Sequence, residues 1–432
     1  MKALSYNSAR LRLASNKRWS PLLFAAVFLA TATFSLAAPP WSRPVAISKS
    51  AINSESPAVA VNDSGAMAAI WARQAGSSFV VEASVNLSGT WSKAVALTPA
   101  GQSGIEPDVA IDGSGIVTAV WSAAASIMSS TYSNGTWSTP VALSETGASA
   151  TIPQVVADPA GDVTAMWLRY SSGGVPTFET ADRPAGGSWS APTILAAVAP
   201  QDFQLVANAA GNMAVIWDVG SFVSSDTVYV SDRSFGGTWS TPFVLAPGAY
   251  RQGGGRIGID ANGNLTACWR TNTVINTADK PAGGSWTSTR ALYTNLAVSD
   301  YPTLAKTAAG DDLAAWITYV YSGSGYNYQI RTAVRPAGGT WGVVELLTSK
   351  REYDLDLHAG TTPGGTFVLT WVDDNSFKFK SSTRTATTPW TALTVITSGT
   401  FGTDLAVADH TAVAVWLGGS FRTMVSSMPV SP

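Results

Sequence analysis

Sixteen of the seventeen tryptophans in this 432-residue chain stand in two ranks of almost the same period. The first rank is Trp71, Trp121, Trp167, Trp217, Trp269, Trp316, Trp371 and Trp416. The second is Trp41, Trp91, Trp137, Trp189, Trp239, Trp286, Trp341 and Trp390, and only Trp19 is left over. Successive members of either rank lie 45 to 55 residues apart. A repeat of that length is the mark of an array whose units bury their apolar faces against one another.

Each unit reads as four short strands. In residues 107–143, PDVAI is followed by the turn Asp112-Gly113-Ser114-Gly115, then IVTAVW, then IMSSTYS, then the turn Asn134-Gly135, then TWSTPVALS. Alternating apolar residues, β-branched side chains and glycine-bearing turns agree on antiparallel strands, and no segment after the first 37 residues has helical periodicity. The first turn recurs as NDSG, DPAG, NAAG, DANG and TAAG, with an Asx or Thr that can accept backbone N–H groups and a glycine for the positive-φ position. The second recurs as RPAGGSW, KPAGGSW and RPAGGTW.

The ends of the array decide its shape. The repeats begin with WSRPVAIS (41–48), a fourth strand without the first three, and end with residues 404–427, three strands without a fourth. Seven whole units and two complementary fragments predict an all-β, eight-bladed β-propeller of four-stranded antiparallel blades, closed when strand 41–48 pairs with the last blade. The blades fall at about 57–98, 107–144, 153–196, 203–246, 256–293, 302–348, 353–397 and 404–428 plus 41–48. An open solenoid would need capping repeats, and tandem immunoglobulin-like sandwiches would need about twice this period.

Residues 1–37 read separately, as a signal peptide. Five Lys or Arg residues precede the apolar run Pro21–Leu36, and Ser35-Leu36-Ala37 fits signal-peptidase cleavage, which predicts a secreted or periplasmic protein with residues 38–432 as one domain. Without those five charges the balance is 21 basic against 28 acidic residues, a net charge of −7, unsuited to nucleic acid or anionic lipid. No later run is apolar for long enough to cross a bilayer as a helix. The lone Cys268 excludes an intrachain disulfide, and its strand position makes it a core residue.

The turn [ST]-x-D-[RK]-P-A-G-G-[ST]-W stands whole at Thr180–Trp189 and Thr277–Trp286 and altered at Val230–Trp239. It lies between third and fourth strands, where sialidase-type propellers carry the Asp-box. The chain therefore resembles bacterial secreted propellers of the sialidase-like, Asp-box-related kind over residues 41–428. The resemblance is one of repeat grammar. It implies a structural turn rather than an active site, and the Arg in an F/Y-R-I/L-P setting that usually opens the sialidase set does not occur.

Candidate binding residues fall on the face that carries the second-to-third connections and the inter-blade loops, which vary most from unit to unit. Glu55, Glu106, Asp202, Asp300 and Glu352 precede the innermost strands and would gather at the channel mouth. They suggest a hydrogen-bonding rim or a Ca²⁺ site there, or else solvated loop ends. Arg73, Arg169 and Arg270 follow first-rank tryptophans and would either bind a carboxylate or sulfate or pair with rim acids. Tyr319, Tyr321, Tyr326 and Tyr328 lie in the longest loop and suit carbohydrate, whereas the fixed strand positions of the tryptophans suit packing. Tyr170, Asp218, Asp373 and Asp374 share that face. His358 and His410 end neighbouring innermost strands without a third metal ligand. No cofactor is implied and no catalytic set emerges. The reading is a monomeric, non-enzymatic binding propeller for a glycan or protein ligand, with a glycoside hydrolase or a structural envelope protein as alternatives.

Overall fold

A computed structural model describes residues 40–49, 53–124, 126–145, 147, 149–170, 174–220, 225–250, 252–294, 302–321, 326–348, 354–373, 376–419 and 421–430. These residues form eight sheets, each of four main antiparallel strands in sequence order from the axis outward, and none of them is helical. The chain is an eight-bladed β-propeller. In blade one, Ser54–Val61 is innermost, followed by Met67–Ala75, Ser78–Asn86 and Val95–Ala96. Innermost strands of consecutive blades pack on one another around the whole ring, the eighth (Phe401–Val407) against the first.

Closure takes place in blade eight. Val45 and Ala46 pair with Val425 and Met424, and Ser42 donates its N–H to the Ser427 carbonyl at 2.7 Å. The opening segment thus covers the free edge of Arg422–Pro429, whose N–H and C=O groups would otherwise lie open to another strand.

Both ranks of tryptophan face the preceding blade. Trp121 packs with Ile70, Val81 and Val85 of blade one, Trp217 with Phe178 of blade three, and Trp71 with Ile47, Val413 and Val415 of blade eight. All eight first-rank indoles are at most 1% exposed. Those of the second rank sit further out and, except for the buried Trp341, are only partly shielded: Trp41 donates to Ser381 of blade seven at 2.8 Å, and Trp390 to Thr332 of blade six at 3.2 Å. The apolar core is therefore a set of cores between blades, and no blade has one of its own. A single sheet cannot hide both faces, so each is stable only between two others.

The [RK]-P-A-G-G turn makes a clasp on one face of the ring. The arginine lies against the tryptophan of its own turn, with Arg233 4.5 Å from the Trp239 ring and Arg335 5.0 Å from that of Trp341. The charged end of the Arg or Lys reaches back to the Asp of the preceding blade's turn: Arg233 to Asp182 at 2.5 and 2.8 Å, Lys280 to Asp232 at 2.6 Å, Arg335 to Asp279 at 2.6 and 2.7 Å. Gly236 and Gly338 hold φ near 66° and 67°, which L side chains rarely adopt. The Asp and the basic residue of the motif are thus a donor–acceptor pair offset by one blade.

Candidate functional site

The opposite face begins with a kink in the innermost strands. In blades one, two, three, five, seven and eight the pairing with the second strand slips at Ser56, Glu106, Ile152, Gly254, Asp356 and Gly402, all with φ between 45° and 60°. This is a β-bulge at the channel mouth, where an extra residue turns its side chain toward the neighbouring blade. Pro57, Pro107 and Pro153 follow three of the bulges.

Two residues past the bulge, or at the equivalent place, stand Ala58 in blade one and a polar residue in each of the others: Asp108, Gln154, Gln204, Arg256, Thr303, His358 and Asp404. Four of these tie one blade to the next by accepting a backbone N–H from its inner edge. Asp404 takes that of Val59 at 2.9 Å, Asp108 that of Val155 at 2.8 Å, Gln154 that of Leu205 at 2.9 Å and Gln204 that of Ile257 at 2.8 Å. Burial pushes the Asp108 carboxyl up to about 7, against the pull of the Val155 and Val109 N–H groups and helped slightly by the charge of Asp404.

The pattern is missing at blade one, where Ala58 has no side-chain acceptor, and at blades five to seven, where the residues are polar but do not make the bond. Arg256 has no acceptor to offer and turns back to Asp202 at 2.8 Å. The His358 Nδ1 lies 3.9 Å from Asp404, while its Nε2 is buried and has no hydrogen-bond partner. Here the wall opens into a cavity of about 500 Å³, lined by Ser56, Arg256, Thr303, Asp356, His358 and Thr403 among others from five blades. A guanidinium, an imidazole, three hydroxyls and one carboxylate make a site suited to hydrogen-bonding a polar ligand. Among the described residues no group of three or more His, Cys, Asp or Glu is placed to hold a metal ion.

The rim acids serve different ends. Glu106 accepts the N–H of Ile152 at 2.8 Å and the hydroxyl of Ser122 at 3.0 Å, so it bridges blades two and three. Asp202 holds Arg256 across blades four and five. Glu55 stands one residue before its bulge, out of register with Glu106 and Asp202, while Asp300 and Glu352 lie outside the described residues. Asp356, absent from the acids singled out by sequence, occupies the bulge of blade seven and accepts from the Thr403 N–H at 3.3 Å.

Arg73 and Arg169 do not turn to the rim acids. Arg73 pairs with Glu82 at 2.7 Å, and Arg169 with Glu145 at 2.8 Å and Glu179 at 3.4 Å. Glu82 and Glu179 stand opposite Trp71 and Trp167 across the second-to-third strand pairing, a relation that a linear pattern does not display. Arg270 is opposite Ile275 in blade five. Tyr319 faces Tyr328, and Tyr321 faces Tyr326, in a second-to-third hairpin of blade six that continues well past the core, with the Tyr319 and Tyr328 rings 6.5 Å apart. Tyr321 is 64% exposed. Tyr170 is also exposed, Asp218 and Asp373 are buried, and Asp374 lies outside the described residues.

The two histidines do not meet: His358 is in the channel wall, whereas His410, 60% exposed and 3.1 Å from Asp409, caps the far end of blade eight. Cys268 is free and fully buried, and that burial raises its thiol pKa well above the ordinary value. Arg256 and Asp356 carry no sequence signal of their own, because the residue type at each position changes from blade to blade. Aligning the eight innermost strands by their shared Val, Ile or Leu would have exposed both columns.

No protein-family profile matches the chain, and no curated protein is significantly similar to it in sequence. Among solved structures it has several matches at low sequence identity. The polysaccharide lyase Uly1 shares 11% identity over 73% of this chain and 88% of its own, with a TM-score of 0.49. An α-L-arabinofuranosidase of Fusarium graminearum in complex with arabinobiose shares 10% over 90% of this chain and 98% of its own, at 0.45. The Hadza microbial sialidase Hz136 shares 12% over 82% of this chain and 74% of its own, at 0.42. The blade count and closure rest on the pairings of this chain alone.

Proposed function

We propose that the chain is an exported, monomeric, non-enzymatic binding propeller that takes a glycan or protein ligand on its variable-loop face, at the channel mouth. The observation that carries this reading is the break in the polar column. Asp108, Gln154, Gln204 and Asp404 are committed to the backbone of the next blade, whereas Arg256, Thr303 and His358 surround an open cavity. The Glu106 carboxylate is held by two donors of the scaffold, which suits a structural acceptor better than a proton-transfer group. No cofactor is needed for such a role, and the acidic balance disfavours nucleic acid and membrane surfaces.

A glycan array run beside a panel of fluorogenic glycosides tests the reading. Binding without turnover is expected, weakened at least tenfold by Arg256→Ala or His358→Ala. Hydrolysis that Glu106→Gln abolishes would establish a glycoside hydrolase instead.

A further inference from the structure

Among the described residues one basic member of the clasp meets no acid, whereas even Arg384 of blade seven, whose counterpart turn has Val334 in place of Asp, finds Glu345 at 2.7 Å. In blades four, five and six the basic residue of the turn meets Asp182, Asp232 and Asp279 of the preceding blade. Arg183, its counterpart in blade three, finds Thr131 where the others find Asp. The equivalence of Thr131 is fixed by backbone: its N–H donates to Ser138 Oγ, as those of Asp182, Asp232 and Asp279 donate to Ser190, Ser240 and Thr287. Arg183 keeps the rest of the arrangement. It lies 5.3 Å from the Trp189 ring and donates to Thr118 at 2.7 Å and to Thr131, as Arg233 reaches Thr164 and Arg335 reaches Thr266. It forms no ion pair with a described carboxylate. Asp112, which lines the same cleft, is itself buried and held on its own turn by the N–H groups of Ser114 and Ile116.

Two further observations bear on this gap. The cleft around Arg183 has a volume of about 710 Å³, whereas the corresponding clefts at Arg233 and Arg335 measure about 520 and 330 Å³. Ser129 lines the larger cleft, is 1% exposed, and its Oγ has no hydrogen-bond partner. The charge balance points the same way. Burial lowers the pKa of Arg183 below the ordinary arginine value despite Asp112, whereas at Arg335 burial is outweighed by Asp279 and Asp312 and the pKa is raised. A half-buried cation with hydroxyls in place of its carboxylate favours an anion supplied from outside.

We propose that the cleft between blades two and three is a second binding site, on the face opposite the channel-mouth cavity, and that it takes a carboxylate-bearing sugar. The carboxylate occupies the place of the missing Asp beside Arg183, and Ser129, Thr131, Ser133 and Ser138 offer hydroxyls to the ring of the same sugar. The volume suits one or two sugar units. The proposal does not depend on the channel-mouth reading, since the two sites share no residue.

Calorimetric titration of the full chain with D-glucuronate, D-glucose and acetate tests it, beside the variants Arg183→Gln and Thr131→Asp. Glucuronate is expected to bind at least tenfold more tightly than either glucose or acetate, and to weaken as salt rises. Arg183→Gln should lose that binding. Thr131→Asp supplies the absent carboxylate internally, so it should raise the melting temperature and weaken glucuronate binding at least tenfold. Absence of glucuronate binding to the wild type, acetate binding as tightly as glucuronate, a Thr131→Asp variant that binds like the wild type, or one that melts no higher than it would each overturn the proposal.

Discussion

The carboxylate of Glu106 in blade two accepts the backbone N–H of Ile152 in blade three at 2.8 Å, at the point where both strands bulge. An isoleucine at φ 47° is under strain, and the bond from the neighbouring blade helps to hold it there. Glu106→Ala should therefore cost about 1 kcal/mol, since the donor and acceptor are only partly buried, while Glu106→Gln should cost less. Chemical denaturation checks both. A Glu106→Ala protein as stable as the wild type would show that the contact has no structural weight.

Asp108 gives stability a pH dependence of unusual sign. Its folded pKa, near 7, lies above the ordinary 3.8, so the fold binds a proton that the unfolded chain has already released between those values. Its contribution is complete below about pH 4 and is lost as pH rises toward 7, by up to about 4 kcal/mol. Asp108→Asn keeps an oxygen for the Val155 N–H and removes the titration. The variant should match the wild type near pH 4 and exceed it at pH 8, as thermal melts across that range would show.

Arg335 stands between Asp279 and Asp312, with bonds of 2.6 Å to each. Asp312 has no exposed surface, and without Arg335 only Lys306, 3.3 Å away, would remain to meet its charge. Arg335→Gln should cost about 3–5 kcal/mol, as for other buried pairs that lose one member. Arg335→Gln combined with Asp312→Asn should recover part of that loss, and a double-mutant cycle of denaturation midpoints measures the coupling.

Closure can be tested from the N-terminal side. Deleting residues 38–49 leaves the strand Arg422–Pro429 with a free edge and removes Trp41 and Ile47 from two inter-blade cores. The truncated chain should melt lower and self-associate, visible by size-exclusion chromatography with light scattering. A monodisperse monomer with the wild-type melting temperature would count against closure by this strand.

Most of the architecture was legible because a propeller blade is a local object. Its turns need glycine and Asx at fixed places, its strands need apolar alternation, and its packing needs an indole at a repeated point, so the period survives in the linear order of residues. Trp121 and Trp217 could be assigned to packing on that basis alone. The candidate site was less legible. Arg256 is the one arginine in a column that otherwise holds Ala, Asp, Gln, Thr or His, and Asp356 shares its column with Ser56, Glu106, Ile152, Gly254 and Gly402. The acids that sequence grouped at the rim also divide by register: Glu106 sits on the bulge and reaches across to the next blade, whereas Glu55 lies one residue earlier.

By itself the sequence determined the eightfold repeat, the strand order within each blade and the need for residues 41–48 to complete the last one, since these follow from short-range steric and hydrophobic preferences repeated along the chain. Only the tertiary structure decided which polar groups meet: that Asp182 belongs to Arg233 of the next blade, that Arg183 finds Thr131 instead of an acid, and that the wall opens at Arg256 and His358. Those partners lie some fifty residues or more apart and come together only when neighbouring sheets are stacked, so the charge and hydrogen-bond balance of each site depends on the ring.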